Sequence, residues 1–441
     1  MSRAEFPFID PPRREQYQPC IKCGLCLDSC PTFQETGEEL ESPRGRVQLI
    51  AAVDRGVVPL SAPKVAATLF SCLDCRACEV ACPSGVPIGS LIERGRGQVV
   101  AMQRAHRSWR GRAAVGTTTR LALKHLLPNP KRLKQVGRLL AAAQRLGLIK
   151  SRARFLAPVG MRRMAEAMPL VPRTFESDTV SLDTAPKARV GVFLGCIMDV
   201  LFADANQATI RVLQHNHLGP VVPGGQTCCG ALAIHAGERD QARVQARQNI
   251  DAFFASDLDY VVTNAGGCGA ALMEYPEWLA EDPQYRDKAE RFSQKVVDVA
   301  VVLEKEGWRA PSRTSPEKIT YQASCHLSNV MKAGAAPVRI LKSIPGIEFQ
   351  EMADSARCCG SAGIYNLTHP EMSEALLKRK MADVPDGTET IVTGNPGCWL
   401  QMLHGVDAYR PGIRVRHLVQ VLDDAYGREA LSTPVATGAS E

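Results

Sequence analysis

The strongest constraint in this sequence is a four-cysteine run that occurs twice near its start. Cys20, Cys23, Cys26 and Cys30 are followed by Pro31, and Cys72, Cys75, Cys78 and Cys82 by Pro83. Each run has the form Cys-x2-Cys-x2-Cys-x3-Cys-Pro. A loop with a thiolate at every third residue can hold three metals of one cluster, and the proline turns the chain away after the last thiol. The chain carries 16 cysteines in 441 residues. Its first residues, MSRAEFPFIDPPRREQY, lack the apolar stretch of a secretory signal, so a cytoplasmic location is expected. Disulfides are disfavoured there, and clustered cysteines bind metal or do redox chemistry. No run of about 18 apolar residues is present, so no membrane-spanning helix is expected.

This is the spacing of bacterial ferredoxins, in which the fourth cysteine of each run serves the other cluster. Cys20, Cys23, Cys26 and Cys82 are therefore expected to hold one [4Fe–4S] cluster, and Cys72, Cys75, Cys78 and Cys30 the second. Zinc also takes four thiolates, but its usual spacing is two CxxC pairs. No nucleotide motif or aromatic cluster accompanies the runs, so they are read as electron relays.

The C-terminal region repeats internally. Val190–Leu194 is a strand-like run ending in Gly195-Cys196, and Ile319–Ala323 is another ending in Ser324-Cys325. Cys228-Cys229-Gly230 recurs as Cys358-Cys359-Gly360. Val261–Asn264 leads to Gly267-Cys268, and Ile391–Asn395 to Gly397-Cys398. The three stations recur at offsets of 129, 130 and 130 residues. Two homologous lobes follow, paired about a pseudo-two-fold axis as the natural guess. The expected fold class is α+β multidomain. Residues 1–93 form a helical two-cluster domain, with 1–19 an extended arm. Residues 94–186 form a basic helical linker, and 187–311 and 312–430 two α/β lobes.

Charge is distributed unevenly. Residues 94–163 hold 18 Lys and Arg and no Asp or Glu, which makes the rest of the chain net acidic. Helices are expected around Ser90–Arg107 and Lys131–Leu148, with a break at Pro128 and Pro130. A stretch this basic, with apolar runs such as Leu121–Leu123 and Leu139–Ala143, suits an anionic membrane surface or an acidic partner subunit; a solvated linker is the bland alternative. Nucleic acid is disfavoured, because aromatics are sparse and no recognition motif is present.

The pattern Cys…Cys-Cys-Gly…Cys, used twice, resembles the CCG domain of heterodisulfide reductase subunits and their relatives. Placed after a two-cluster module it resembles the iron–sulfur subunits of glycolate oxidase, anaerobic glycerol-3-phosphate dehydrogenase and lactate-utilisation complexes. Ser71–Val86 and Arg357–Asn366 look most like the glycolate oxidase subunit. The resemblance implies one or two further [4Fe–4S] clusters in the lobes, on Cys196, Cys228, Cys229 and Cys268 and on Cys325, Cys358, Cys359 and Cys398, so that iron is held by cysteines throughout. A zinc site, or thiols such as Cys228 and Cys229 forming a reversible disulfide, are the alternatives. The family pattern often ends in CxxC; here Ala265 and Asn395 stand at the first position, which speaks against the five-ligand, non-cubane arrangement. His326 follows Cys325 and is a candidate ligand or proton donor, while His235 and His404 lie near the same elements; a lone histidine is more often structural.

No GxGxxG follows a strand and no P-loop is present, so flavin is expected on a partner and no catalytic residue on this chain. The resemblance implies FAD-containing 2-hydroxy-acid oxidase subunits as partners, oxidation of glycolate to glyoxylate there, and delivery to a quinone as in acceptor-dependent dehydrogenases. Glycerol 3-phosphate or lactate as substrate, or thiol–disulfide catalysis in the lobes, are the rivals.

Overall fold

The computed structural model describes residues 6–105, 116–146, 185–311 and 316–432. The N-terminal unit is helical. Pro31–Thr36, Pro43–Asp54 and Pro63–Phe70 each begin on proline, whose fixed φ suits the first helical turn. Ser42 caps the second of these by accepting from the Gly45 amide at 2.9 Å. The long helix Ile88–Ala105 packs on them through Leu91, Ile92 and Val99, against Val47, Ile50 and Leu69. It runs without interruption across position 93.

Residues 6–19 pack onto the chain and are not an extended arm. Phe6 and Tyr17 join the apolar core of the N-terminal unit, and Arg14–Tyr17 is a helical turn. Asp10 takes φ 64° and accepts from Arg94, Arg239 and Arg243, which ties this segment to the first lobe. The Asp10 charge is neutralised by arginines from distant parts of the chain.

The basic segment breaks where its prolines stand. Helical turns run to Leu126, and a new helix begins at Pro130–Arg145, capped by Asn129 accepting from the Arg132 amide. Gly137 lets this helix approach Val200, and Lys134 pairs with buried Asp199 at 3.0 Å. Residues 106–115 and 147–184 lie outside the described residues, so the basic segment beyond this helix does too, as does the end of the helix expected near Arg107.

Each lobe is built on a four-stranded parallel sheet. The first comprises β1 (Arg189–Phe193), β2 (Gly219–Val221), β3 (Tyr260–Thr263) and β4 (Val296–Asp298), in the order β2-β1-β3-β4. The second comprises β5 (Glu317–Gln322), β6 (Ile347–Gln350), β7 (Thr390–Thr393) and β8 (Arg414–His417), in the order β6-β5-β7-β8. The central strands are buried along most of their length because helices cover both faces. The order in which strands are added reverses between β1 and β3, and between β5 and β7, so both sheets have a switch point at their carboxyl ends. All three cysteine stations of each lobe follow those ends.

The pseudo-two-fold pairing is present. The helix Ala203–His215 packs on Leu418–Ser432, and the equivalent helix Ala335–Ser343 packs on Val299–Lys305. One apolar core runs through both lobes, including Val190, Val262, Ile319 and Val392.

Candidate iron–sulfur centres

The eight cysteines of the N-terminal runs converge on two cavities. One is a partly open cavity of about 370 Å³, adjoining solvent included, lined by Cys20, Cys23, Cys26 and Cys82, with Arg44 and Lys22 as its charged neighbours. The other, also partly open, is about 390 Å³ on the same measure and is lined by Cys30, Cys72, Cys75 and Cys78, with Arg46, Asp74 and Arg76. Lys22, Asp74 and Arg76 take positive φ inside the cysteine loops, so the loops curl tightly enough to aim their thiols inward. Four thiols around one cavity suit a [4Fe–4S] cluster, and the grouping of each run's first three cysteines with the other run's fourth matches crossed ligation. Cys23 is exposed, whereas Cys30 and Cys75 are buried.

Fixed dipoles and charges surround the second cavity. The Asp74 amide points at Cys72 Sγ from 3.4 Å. The Arg46 guanidinium is buried and lies 3.8 Å from Cys30 Sγ. It also donates to Glu41, Thr32, Thr68 O and Ser71. Burial pushes the Cys75 thiol well above its ordinary value, and the neighbouring Cys325 adds to the rise. Uncompensated thiolates are costly there, and iron is the charge that offsets them.

In the lobes the cysteines sit where strands hand over to helices. Cys196 and Cys325 open the helices Cys196–Leu201 and Cys325–Asn329. Cys268 and Cys398 lie in the first turns of Gly266–Met273 and Pro396–Tyr409. Gly230 at φ 91° and Gly360 at φ 87° turn the chain after the cysteine pairs. Cys196 Sγ lies 3.4 Å from Cys228 Sγ. The Cys325 thiol is held down at about 5, chiefly by its hydrogen bond with Cys358 and further by His326, whose Nδ1 is 3.7 Å away.

The two lobes stand differently to the N-terminal unit. Cys325 and Cys358 share one buried cluster with Leu73 and Cys75. Asn329 donates to Cys75 O at 2.8 Å, and the Tyr365 hydroxyl to Ser71 O at 3.0 Å. The first-lobe cysteines lie in an apolar cluster that contains no residue of the N-terminal unit. They sit instead beside the basic helix, where the Thr227 hydroxyl donates to Pro128 O at 2.6 Å.

A polar knot fills the junction, and sequence reasoning missed it. Arg76 pairs with Asp74 at 2.8 Å and with Glu93 and Glu274 at 3.1 Å each. His235 Nδ1 lies 2.9 Å from Asp74 and 3.2 Å from Glu93. Burial works against the charged imidazole, but hydrogen bonds to Asp74 and Glu93 hold its pKa up at about 9. Burial raises Glu274 to about 8 despite Arg76. The His235 and His326 rings are 5.6 Å apart. His404 is elsewhere, 3.2 Å from Glu374. The knot's members come from four separate stretches of chain with no motif among them.

Fold and centres define the class: a two-cluster iron–sulfur protein carrying twin cysteine-rich α/β domains. Residues 16–86 match the family model of a 4Fe-4S dicluster domain, and 190–273 and 319–403 that of the CCG cysteine-rich domain. Residues 114–168 match the linker region of the glycolate oxidase iron-sulfur subunit. The chain is 40% identical over 427 residues to the probable glycolate oxidase iron-sulfur subunit of Bacillus subtilis (strain 168), covering 93% of this chain and 94% of that protein. It is 32% identical over 419 residues to the glycolate oxidase iron-sulfur subunit of Escherichia coli (strain K12), with the same coverage of 93% and 94%. Lactate utilization protein A of Shouchella clausii (strain KSM-K16) is 29% identical over 239 residues, 53% of this chain and 98% of that protein. The chain belongs to the family of glycolate oxidase iron–sulfur subunits and is an electron-transfer member of an oxidoreductase complex. Among the described residues no helix is long and apolar enough to cross a membrane.

Proposed function

We propose that this chain is the electron-carrying subunit of a flavin-dependent glycolate oxidase. An FAD-containing partner oxidises glycolate to glyoxylate, and this chain conveys the electrons toward a quinone. The observation that carries the reading is the pair of four-cysteine cavities within a chain that aligns over 93% of its length with glycolate oxidase iron–sulfur subunits. Cys20, Cys23, Cys26 and Cys82 hold one cluster, and Cys72, Cys75, Cys78 and Cys30 the other. Each lobe holds a further cluster on its four cysteines. Bound clusters supply one-electron carriage, which suits splitting the electron pair of a reduced flavin.

The surroundings of the cysteines support an order of carriers. Exposed Cys23 puts the first cavity at the surface, and the contact of Cys75 with Cys325 makes the second lobe the neighbour of the second cavity. The first-lobe cysteines share no apolar cluster with the N-terminal unit and lie beside the basic helix. That helix exposes Val136, Leu139 and Leu146 between Lys131, Arg132, Arg138 and Arg145, a face that suits the anionic surface of the membrane where quinone resides.

Anaerobic purification with iron and acid-labile sulfide counts tests the cluster reading: about sixteen irons support it, about eight leave the lobes empty, and near zero overturns it. Reduction of the clusters by the co-purified flavoprotein with glycolate, but not with lactate or glycerol 3-phosphate, is expected. Reduction by lactate alone moves the substrate assignment to the rival.

A further inference from the structure

We infer that Asn395 is a positioning residue that links the two lobes' cysteine sites and sets the reduction potential of the second. The inference rests on the reading that the lobe cysteines hold clusters. It concerns the step that moves one electron between the lobes, in which no bond is made or broken.

Asn395 stands at the N-terminal boundary of the helix Pro396–Tyr409, where an asparagine ordinarily turns its side chain back to accept from its own helix. Here the side chain makes no such cap. Its Oδ1 accepts instead from the Gly267 amide of the first lobe at 3.0 Å, one residue before Cys268. Its Nδ2 donates to Cys398 Sγ at 3.5 Å. One side chain thus spans from a second-lobe sulfur to the loop that carries a first-lobe sulfur. The neighbouring backbone is joined as well, with the Gly266 amide donating to Gly394 O at 3.0 Å.

The surroundings are shaped for this contact. A Cβ on Gly267 would lie 3.0 Å from Asn395 Oδ1, and one on Gly397 would lie 2.8 Å from Ser361 Oγ. Pro396 follows, so the first helical position offers no amide of its own to the sulfurs. The repeat-equivalent residue in the first lobe is Ala265, which has no donor to offer Cys268. The two sulfur sets are therefore unequal although the lobes are homologous.

A hydrogen bond to a ligating sulfur disperses the charge of the reduced state and raises the potential. The bond from Nδ2 accordingly favours reduction of the second lobe, which is the one seated against Cys75. The Oδ1 bond fixes the Cys268 loop beside it.

The test uses the whole chain, purified without oxygen, as wild type, Asn395→Ala and Asn395→Asp. Redox titration followed by electron paramagnetic resonance reads each centre, and hydrogen–deuterium exchange reads the Gly267 amide. In Asn395→Ala one lobe centre is expected to titrate at lower potential, the N-terminal clusters are expected to stay unchanged, and the Gly267 amide is expected to exchange faster. Asn395→Asp keeps the acceptor for Gly267 but replaces the donor by a negative charge. It is expected to restore slow exchange while lowering that potential further. Unchanged lobe potentials in both variants, or an equal shift of every centre, overturn the inference and leave the cluster reading standing. About eight irons in the wild type overturns both.

Discussion

Cys30 and Cys82 each stand beside three cysteines from the other run, and that crossing has a direct consequence. Cys30→Ser is expected to remove about four irons and the spectroscopic signal of the second cavity, while Cys82→Ser removes that of the first. Loss of the cluster on the same run's first three cysteines in either variant would refute the crossing. Arg46 offers a subtler test. Its guanidinium is buried beside Cys30 and Cys72, and its loss uncovers Glu41 and three other acceptors at once. Arg46→Met is expected to cost about 3 kcal/mol in denaturant unfolding and to lower the potential of the second-cavity cluster. Arg46→Lys is expected to keep most of the potential and lose the fork of hydrogen bonds. The cysteines were legible because their spacing is local and the chemistry of thiolates at every third residue is nearly unique. Arg46, Asp74 and Arg76 were not, because a lone charged residue declares itself only through partners that folding brings from elsewhere.

At the scale of elements, the same division holds. The strands around Val190, Val261, Ile319 and Ile391 were readable as short apolar runs, and Pro128 and Pro130 did mark a break. The N-terminal segment was misjudged because Asp10 and its three arginine partners lie more than 80 residues apart in sequence. The packing of the basic helix was also hidden, since a single glycine sets it. A Cβ on Gly137 would lie 2.6 Å from Val200 Cγ1. Gly137→Leu is therefore expected to lever the helix Pro130–Arg145 off the first lobe, at about 1–3 kcal/mol, as overpacking does. Limited proteolysis should then cut between residues 126 and 145 faster than in the wild type, with the N-terminal clusters intact. An unchanged cleavage rate would mean that the helix is held by contacts other than this one.

At the scale of the whole molecule, the nearly equal offsets between cysteine stations told of two lobes, but homology alone could not say that their cysteines have different neighbours. That difference arises because a third unit packs against an approximate dyad and breaks it, bringing Cys75 to Cys325. The polar knot around Arg76 ties the unit to the first lobe through His235 and Glu274, and the knot is sensitive to pH. His235 is raised from 6.5 to about 9 in the folded chain, so the folded state binds its proton more tightly than the unfolded state does. Its contribution to stability is full below pH 6.5 and lost as pH rises through about 9. Glu274, raised from 4.5 to about 8 by burial, acts in the same direction at lower pH, because the unfolded chain releases that proton first. Stability is thus expected to fall steadily from pH 6.5 to 9, by about 3 kcal/mol for the histidine at most. His235→Gln should flatten that decline, and Glu274→Gln should flatten the part below pH 8. The measurement is the denaturant midpoint of the anaerobic holoprotein across this range. A decline as steep in His235→Gln as in the wild type would mean that the imidazole is not what holds the dicluster unit against the lobes.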